Sequence, residues 1–320
     1  MRRIVGLVLL GFAGFLLAMT AMVKWYAYPT LAVVPLDQNS NTTSLGEGMT
    51  YFDKATLSEQ TDTLTSHLRT IGQVKAAEDQ GDNVAIWDQA VVTTNSAGDK
   101  LSVTTQHAAF DRTTGEAVDC CDTTLNDEPI TYKGLLFKFP FNTQKTSYQW
   151  FDNDLKDTMT MTYDTTETVG GLSTYKFHGT VPPTMTETID VPSKVLGEPA
   201  GEMLSAENWY SNDVTFWVEP ETGVIIKSLQ TQNTTLRYNG EDRVVATKGT
   251  TAYPDSQVQD NVDEYKGKSG QLHLLRAILP VVGLVGGLLA LVVGGLLVLT
   301  SRKTDEAADE SSEAVAAAQS

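Results

Sequence analysis

The stretch Thr158-Met159-Thr160-Met161-Thr162-Tyr163 decides the fold class, because apolar and polar residues alternate along it without interruption. Successive side chains of a β-strand point to opposite faces, so the two methionines and the tyrosine share one face and the threonines share the other. Threonine suits a half-buried pleated surface. The stretch therefore predicts a strand of an antiparallel sheet with one apolar face.

The same alternation recurs on both sides of this stretch, in Tyr175 and Phe177 and again in Val214, Phe216 and Val218. The region around residues 64–71 carries apolar residues at helical spacing, but its threonines and Gly72 favour a strand. No part of the middle region shows a long helical stripe. We predict a mainly β, antiparallel domain.

One turn pattern occurs twice, 108 residues apart. The two copies are Phe110-Asp111-Arg112-Thr113-Thr114-Gly115 and Val218-Glu219-Pro220-Glu221-Thr222-Gly223. Each predicts a strand, an acidic residue, a turn in which glycine takes a positive φ, and a returning strand. One hypothesis is a duplicated half-sheet, with halves at 24–150 and 151–273; the alternative is that hairpins often use Thr-Gly.

Two apolar runs, at residues 4–23 and 277–300, are each long enough to cross a hydrocarbon core of roughly 30 Å. Arg2 and Arg3 precede the first run, and Arg302 and Lys303 follow the second, which favours cytoplasmic ends. We expect a double-pass protein of the cell membrane, with residues 1–3 in the cytoplasm and residues 24–273 forming an extracytoplasmic domain. A cleaved signal peptide is the rival interpretation of the first run.

The segments next to the second run carry two further predictions. Residues 301–320 are rich in Ala, Glu, Asp and Ser, which predicts a disordered cytoplasmic tail. Gly283 and Gly287 form a G-x-x-x-G pattern, which either packs against another helix, such as the face of Gly14 and Ala18, or reflects the frequency of glycine in membrane helices. A homo-oligomer through these glycine-rich helices is a further hypothesis.

The charge of the chain limits its partners. The formal net charge is −17, and the charges at the two ends cancel, so the excess negative charge lies between residues 24 and 273. Such a surface repels phosphate backbones, which argues against a nucleic-acid partner. The membrane is the expected partner, together with an envelope lipid or glycan.

Cys120 and Cys121 are the two cysteines of the chain and are adjacent. Outside the membrane we expect them to be oxidised, as a vicinal disulfide or as two intermolecular bonds. A redox switch is one interpretation of this pair, and we favour the other, a structural turn. Two adjacent thiols alone do not make a common metal site.

Few residues of the sequence suggest a metal site, a catalytic site or a ligand groove. Asp152, Asp154 and Asp157 offer oxygen ligands that suit Ca²⁺, but the Gly and distal Glu of an EF-hand loop are missing, and a solvated turn is favoured. We find no catalytic motif and predict neither an enzyme nor a cofactor. Phe137, Phe139 and Phe141 flank Lys138 and line either an apolar groove or a core strand that ends at Pro140, with the core favoured.

Two resemblances add to these predictions. Gly170 to Phe177 and Phe216 to Lys227 resemble bacterial envelope lipid carriers of the LolA and LprG type, which implies a curved sheet around an apolar cavity. Over nearly the whole chain, the sequence resembles the actinobacterial envelope family labelled the porin PorA family, which implies a cell-wall channel. This second resemblance rests on the two anchors and on three motifs between them: Val118-Asp119-Cys120-Cys121, Gly134-Leu135-Leu136-Phe137-Lys138-Phe139-Pro140-Phe141 and Tyr148-Gln149-Trp150-Phe151-Asp152.

These observations lead to three functional hypotheses. The first is a membrane-tethered β domain that binds or scaffolds an envelope lipid, glycan or protein. The second is a porin or channel component, as the family label implies. The third is a redox or hydrolytic enzyme, with Cys120 and Cys121 as its site.

Overall fold

The computed structural model describes the backbone of residues 1–317 and the side chains of residues 1–301. It divides into two compact units, which are residues 1–32 with 270–320, and residues 33–269. The tail that is predicted to be disordered comprises residues 301–320; from residue 302 on, its side chains lie outside the described residues, and the disorder stays a prediction.

The apolar unit consists of helical segments, which are α1 (Arg2–Met22), a π-helical turn (Val23–Ala27), α2 (Tyr28–Leu31), a second π-helical turn (Leu274–Ile278) and α5 (Leu279–Ala317). Two stretches, Arg2–Leu31 and Asp255–Ser301, are long and apolar enough to cross a membrane. In both, only a small share of the apolar window is buried, 11% and 17%, as expected for helices that face lipid.

Helices α1 and α5 pack together, and small residues let their backbones approach closely. A Cβ atom on Gly287 would lie 2.9 Å from Leu17, and one on Gly294 would lie 2.9 Å from the carbonyl oxygen of Gly6. Gly283 faces Thr20 in the same way, whereas Gly14 has open space around it. The glycines of α5 therefore meet a different face of α1 from the one that the sequence suggested.

The second unit is built on one sheet of twelve antiparallel strands, curled into a half-barrel. The strands run in the spatial order β6-β5-β4-β3-β2-β1-β12-β11-β10-β9-β8-β7. Their bounds are β1 Asn39–Asp53, β2 Ser58–Gly72, β3 Val84–Thr94, β4 Lys100–Asp111, β5 Thr124–Leu125, β6 Glu128–Pro129, β7 Tyr148–Asp152, β8 Asp157–Val169, β9 Leu172–Pro192, β10 Met203–Val218, β11 Ile225–Tyr238 and β12 Glu241–Ala252. The predicted fold class is confirmed.

The alternation that predicted the sheet also predicted its faces correctly. Met159 and Met161 are buried, and Thr160 and Thr162, which lie between and after them, are exposed. Residues 64–71 lie in β2, as the threonines and Gly72 indicated. The boundary proposed near residue 150 falls inside β7, and the two proposed halves share one continuous sheet. Duplication stays a hypothesis.

Three helical elements complete the unit: the short α3 (Val74–Glu78), a 3₁₀ turn (Ser193–Leu196) and the longer α4 (Asp255–His273), whose last residues belong to the apolar unit. The expectation that the middle region has no long helix is wrong, because α4 is 19 residues long. Its apolar face is narrow and consists of Val258, Val262 and Tyr265, which pack against Ile226 and Leu172. Helical spacing was present, but the polar residues around it hid the stripe.

Candidate functional site

The two repeated turns have the same internal structure. In the first, Asp111 Oδ1 accepts hydrogen bonds from the amides of Thr113 and Thr114 at 2.9 and 2.7 Å and from the Thr114 hydroxyl at 3.1 Å. The amide of Gly115 donates to the Asp111 carbonyl at 2.9 Å. Gly115 has a φ of +77°, which glycine adopts without the cost that a side chain brings.

The second turn repeats these bonds with glutamate in place of aspartate. Glu219 accepts from the amides of Glu221 and Thr222 at 3.0 and 2.7 Å and from the Thr222 hydroxyl at 2.6 Å. The amide of Gly223, with a φ of +74°, donates to the Glu219 carbonyl at 2.8 Å. Glu219 also accepts from the hydroxyl of Ser269 in α4 at 2.7 Å. The sequence pattern therefore predicted both turns correctly.

Residues 134–143, which we call the bridging segment, lie between the two turns. The amides of Leu136 and Phe141 donate to the carbonyls of Gly115 and Thr113 in the first turn. The amides of Phe139, Asn142 and Thr143 donate to the carbonyls of Gly223, Glu221 and Pro220 in the second, at 2.8, 3.1 and 2.7 Å. One segment therefore holds together two turns that are far apart in sequence.

The bridging segment also connects the end of β4 with β7, an edge strand of the sheet. Isolated β-bridges pair Phe110 at the end of β4 with Ala117, Glu116 with Leu135, and Leu135 with Trp150 in β7. Backbone hydrogen bonds along these bridges thus join β4 to β7, so the N–H and C=O groups between the two strands have partners.

Lys138 lies in the middle of the bridging segment and is 5% exposed. Its Nζ atom has no hydrogen-bond partner among the described residues and lies 3.5 Å from the centroid of the Phe141 ring. Burial lowers the pKa of Lys138 well below its ordinary value, although the carboxylates of Asp111 and Glu219 act in the opposite direction. The sequence placed Lys138 among aromatic residues but gave no sign that both turn carboxylates would be near it.

The rings that flank Lys138 lie in the packed interior, which was the core alternative to an open groove. Phe139 is fully buried and stacks on Phe177 with 4.6 Å between ring centroids. Phe137 lies on the other side, 5.1 Å from both Trp87 and Phe110. Phe141 is partly buried against the same cluster. The bridging segment therefore fills space inside the curled sheet with its own side chains.

The acidic loop at residues 152–157 is a hydrogen-bonded turn. Asp152 Oδ1 accepts from the amides of Asp154 and Leu155, both at 2.9 Å, and its Oδ2 accepts from the Tyr210 hydroxyl at 2.8 Å. Asp157 pairs with Lys133 at 3.5 Å. Among the residues that the structure describes, no group of three or more His, Cys, Asp or Glu side chains could hold a metal ion.

Cys120 and Cys121 follow the first turn, and their Sγ atoms are within bonding distance of each other. Both side chains are partly buried beside Ile86 and Ala109. His107 lies next to them and pairs with Asp88. Spacing along the chain could not reveal this pair, because the residues are on neighbouring strands; the register that places Asp88 opposite His107 brings them together.

A second histidine–aspartate pair, His178 and Asp213, lies at the edge of a surface depression. The depression has a volume of about 490 Å³ and lies on the polar faces of β8 and β9. Hydroxyl and charged groups dominate its lining, which includes Thr160, Thr162, Tyr163, Asp164, His178 and Thr180. No sequence motif marked these residues, because they come together only through strand pairing.

Comparison with known proteins identifies a family for this chain. No curated protein matches the sequence. The family model for porin PorA matches residues 5–296, which includes both apolar helices and all twelve strands. Two apolar helices and this match fit a membrane protein. The chain therefore belongs to the porin PorA family.

Proposed function

We propose that this protein is a membrane-tethered β domain of the cell envelope that binds or scaffolds an envelope lipid, glycan or protein through its outer surface. One observation carries the proposal: the interior of the curled sheet is occupied by the protein's own side chains. Phe139 of the bridging segment, Phe177 of β9 and Met161 of β8 are all fully buried in one apolar cluster.

The filled interior argues against the channel alternative. A pore within the sheet would need a polar, water-filled space where these rings now stack. Because the apolar side chains of the inner face pack against one another, a ligand would bind on the other face of the sheet. We therefore place the proposed contact on the polar outer face.

The outside of the sheet is also unlike a surface that faces lipid. Seven large apolar side chains of the β unit are exposed among the described residues, and they lie on separate elements rather than in a band: Leu57, Ile71, Val74, Val103, Met185, Met203 and Leu229. A membrane-spanning barrel requires a continuous apolar belt. Among the described residues, helices α1 and α5 carry many exposed large apolar side chains.

The depression on β8 and β9 is the contact surface that we infer. Its hydroxyls, its carboxylate and the His178–Asp213 pair can donate and accept hydrogen bonds, which suits a hydroxyl-rich ligand such as a glycan or a lipid head group. The proposal places the ligand outside the sheet, held in position by a domain that both ends of the chain anchor.

Native mass spectrometry of the full chain, extracted in mild detergent from its own membrane, tests the proposal. We expect a bound envelope molecule that is lost in Thr162→Arg, which fills the depression. Thr250→Arg is the matched control, because Thr250 is an exposed threonine on β12 of the same sheet. A bare wild-type chain that gives stepwise ion conductance in planar bilayers would overturn the proposal. Retention of the molecule by Thr162→Arg would refute the contact surface.

A further inference from the structure

The backbone at the cysteine pair is unusual. Cys121 has a φ of +70° and Asp122 a φ of +52°, so two consecutive residues with side chains are left-handed. Such residues carry a conformational cost and persist where the surrounding structure holds them. Closing a bond between adjacent cysteines forms a small ring, which restricts the same backbone.

His107 holds this backbone through the carbonyl group of Cys121. Its Nε2 atom lies 3.2 Å from that carbonyl oxygen, and its Nδ1 atom lies 2.5 Å from Asp88 Oδ1. Both ring nitrogens of His107 therefore face oxygen acceptors, and contacts on two sides fix the orientation of the ring. Gln73 donates to the other oxygen of Asp88, which fixes the orientation of the carboxylate.

The surroundings leave the cysteine pair open to a small reagent. Both cysteines are partly exposed, with one side against the cluster of Ala77, Ile86 and Ala109. The flanking residues Asp119 and Asp122 are exposed. The cysteine pair is therefore accessible from solvent on one side and packed against this apolar cluster on the other.

We propose that Cys120 and Cys121 form a redox-active vicinal disulfide, reducible by a dithiol, and that His107 with Asp88 positions the loop in the oxidised state. In the reaction one thiolate of the dithiol attacks a cysteine sulfur, the bond between Cys120 and Cys121 breaks, and a mixed disulfide forms. The second thiol of the dithiol then attacks the dithiol sulfur of this mixed disulfide and releases the cysteine as a thiol. The dithiol ends as a disulfide, and its two protons and two electrons reside on the two cysteine thiols.

The two redox states differ in the loop. Reduction opens the ring, so Cys121 and Asp122 can leave the left-handed region, and the hydrogen bond from His107 to the Cys121 carbonyl is lost. That bond favours the oxidised state, because only this state holds the carbonyl in place. His107 is thus a positioning residue that shifts the equilibrium between disulfide and dithiol. This inference is independent of the proposed binding function.

The test measures the thiol–disulfide equilibrium of the folded full chain in detergent. The protein is equilibrated with reduced and oxidised dithiothreitol at several ratios, thiols are trapped by alkylation, and intact masses give the fraction of each form. We expect wild type to change reversibly between no and two alkyl groups. His107→Ala should shift the equilibrium constant by up to about tenfold toward the dithiol, as loss of one hydrogen bond implies.

His178→Ala is the matched control, because His178 also pairs with an aspartate, at 3.0 Å, but on β9 and away from the cysteines. It should leave the equilibrium unchanged. The proposal fails if untreated protein already takes up two alkyl groups, if the cysteines link two chains, or if dithiothreitol does not reduce the folded protein. An equal shift in both histidine variants would refute the role of His107.

Discussion

The turn at residues 111–115 and the turn at residues 219–223 have the same local hydrogen bonds but different surroundings. Asp111 is partly exposed, whereas Glu219 is 1% exposed and has a fourth donor, the hydroxyl of Ser269. The bridging segment donates two backbone hydrogen bonds to the first turn and three to the second. A motif that forms locally in both places therefore contributes differently to the stability of the whole domain.

The comparison shows how one sequence pattern serves two purposes. The first turn lies partly exposed at the end of β4 and accepts two hydrogen bonds from the bridging segment. The second turn is buried, and both the bridging segment and Ser269 of α4 donate hydrogen bonds to it. Burial strengthens the bonds of the second turn and also makes their loss more costly.

The largest predicted effect comes from the turn glycines. A Cβ atom on Gly223 would clash with the carbonyl oxygen of Phe139 and lie 2.6 Å from that of Pro140, in addition to the cost of the positive φ. We expect Gly223→Ala to lower the free energy of unfolding by about 4 kcal/mol. At Gly115 the Lys138 carbonyl lies 2.7 Å away, and we expect a loss of about 2–3 kcal/mol. Chemical denaturation of the full chain in detergent measures both.

Gly98 is the control for these variants. It has a φ of +87° and open space around the added Cβ atom, so Gly98→Ala should cost only about 1–2 kcal/mol. Equal losses at positions 98, 115 and 223 would show that contact with the bridging segment contributes nothing.

The next effect separates the two turn carboxylates. Glu219→Gln removes the charge that four donors share, and we expect a loss of about 2–3 kcal/mol. Asp111→Asn, at a partly exposed site, should lose about 1 kcal/mol. The midpoint of denaturation compares the two variants.

Ser269→Ala removes the fourth donor alone and should lose about 1 kcal/mol. If Asp111→Asn lowers the free energy of unfolding as much as Glu219→Gln does, then burial does not distinguish the two turns.

Substitution of Lys138 should stabilise the protein by an amount that depends on pH. In the pH range between its lowered pKa in the folded state and its ordinary pKa of about 10.4, the unfolded chain binds a proton that the folded chain does not. Stability contributed by this site therefore rises with pH and is lost as the pH falls through that range. Lys138→Met removes the cost, and we expect it to raise the free energy of unfolding at pH 7 by about 1–2 kcal/mol.

The gain from Lys138→Met should shrink as the pH approaches about 10.4. Lys145→Met is the control, because Lys145 is exposed and also lies over an aromatic ring, that of Tyr175, at 5.0 Å. A gain at Lys138 that does not change with pH would contradict the assigned cause.

The smallest effect tests the turn hydroxyls. The Thr222 hydroxyl donates to Glu219 at 2.6 Å in a buried site, so Thr222→Val should cost about 1 kcal/mol. The Thr114 hydroxyl donates to Asp111 at 3.1 Å in a more exposed site, and Thr114→Val should cost about 0.3 kcal/mol. Thermal unfolding of the two variants side by side would sharpen the comparison, and a reversed order would contradict it.

Much of the fold could be predicted from the sequence because its signals are local. The alternation at residues 158–163 assigns side chains to faces, and the acid-Thr-Gly pattern gives both turns. Helix α4 was missed because its apolar face is only a few residues wide. Its partner, Ile226, is on β11, so the stripe has meaning only once the sheet is folded.

The candidate sites were less predictable. Lys138 could be recognised as a lysine among aromatic residues, but its two neighbouring carboxylates come from turns on opposite sides of it in the sequence. His107 and Asp88 meet through the register of β3 and β4. Register depends on the packing of the whole sheet, so sequence spacing does not reveal such pairs.

The sequence by itself determined the two apolar helices, the strand faces and the two turns, since each depends on the chemistry of neighbouring residues along the chain. Only the tertiary structure decided that the bridging segment joins those turns, that Lys138 is buried between them, and that Glu219 is covered while Asp111 is not. These features depend on which distant segments exclude water from one another. That balance is set by the whole curled sheet rather than by any stretch within it.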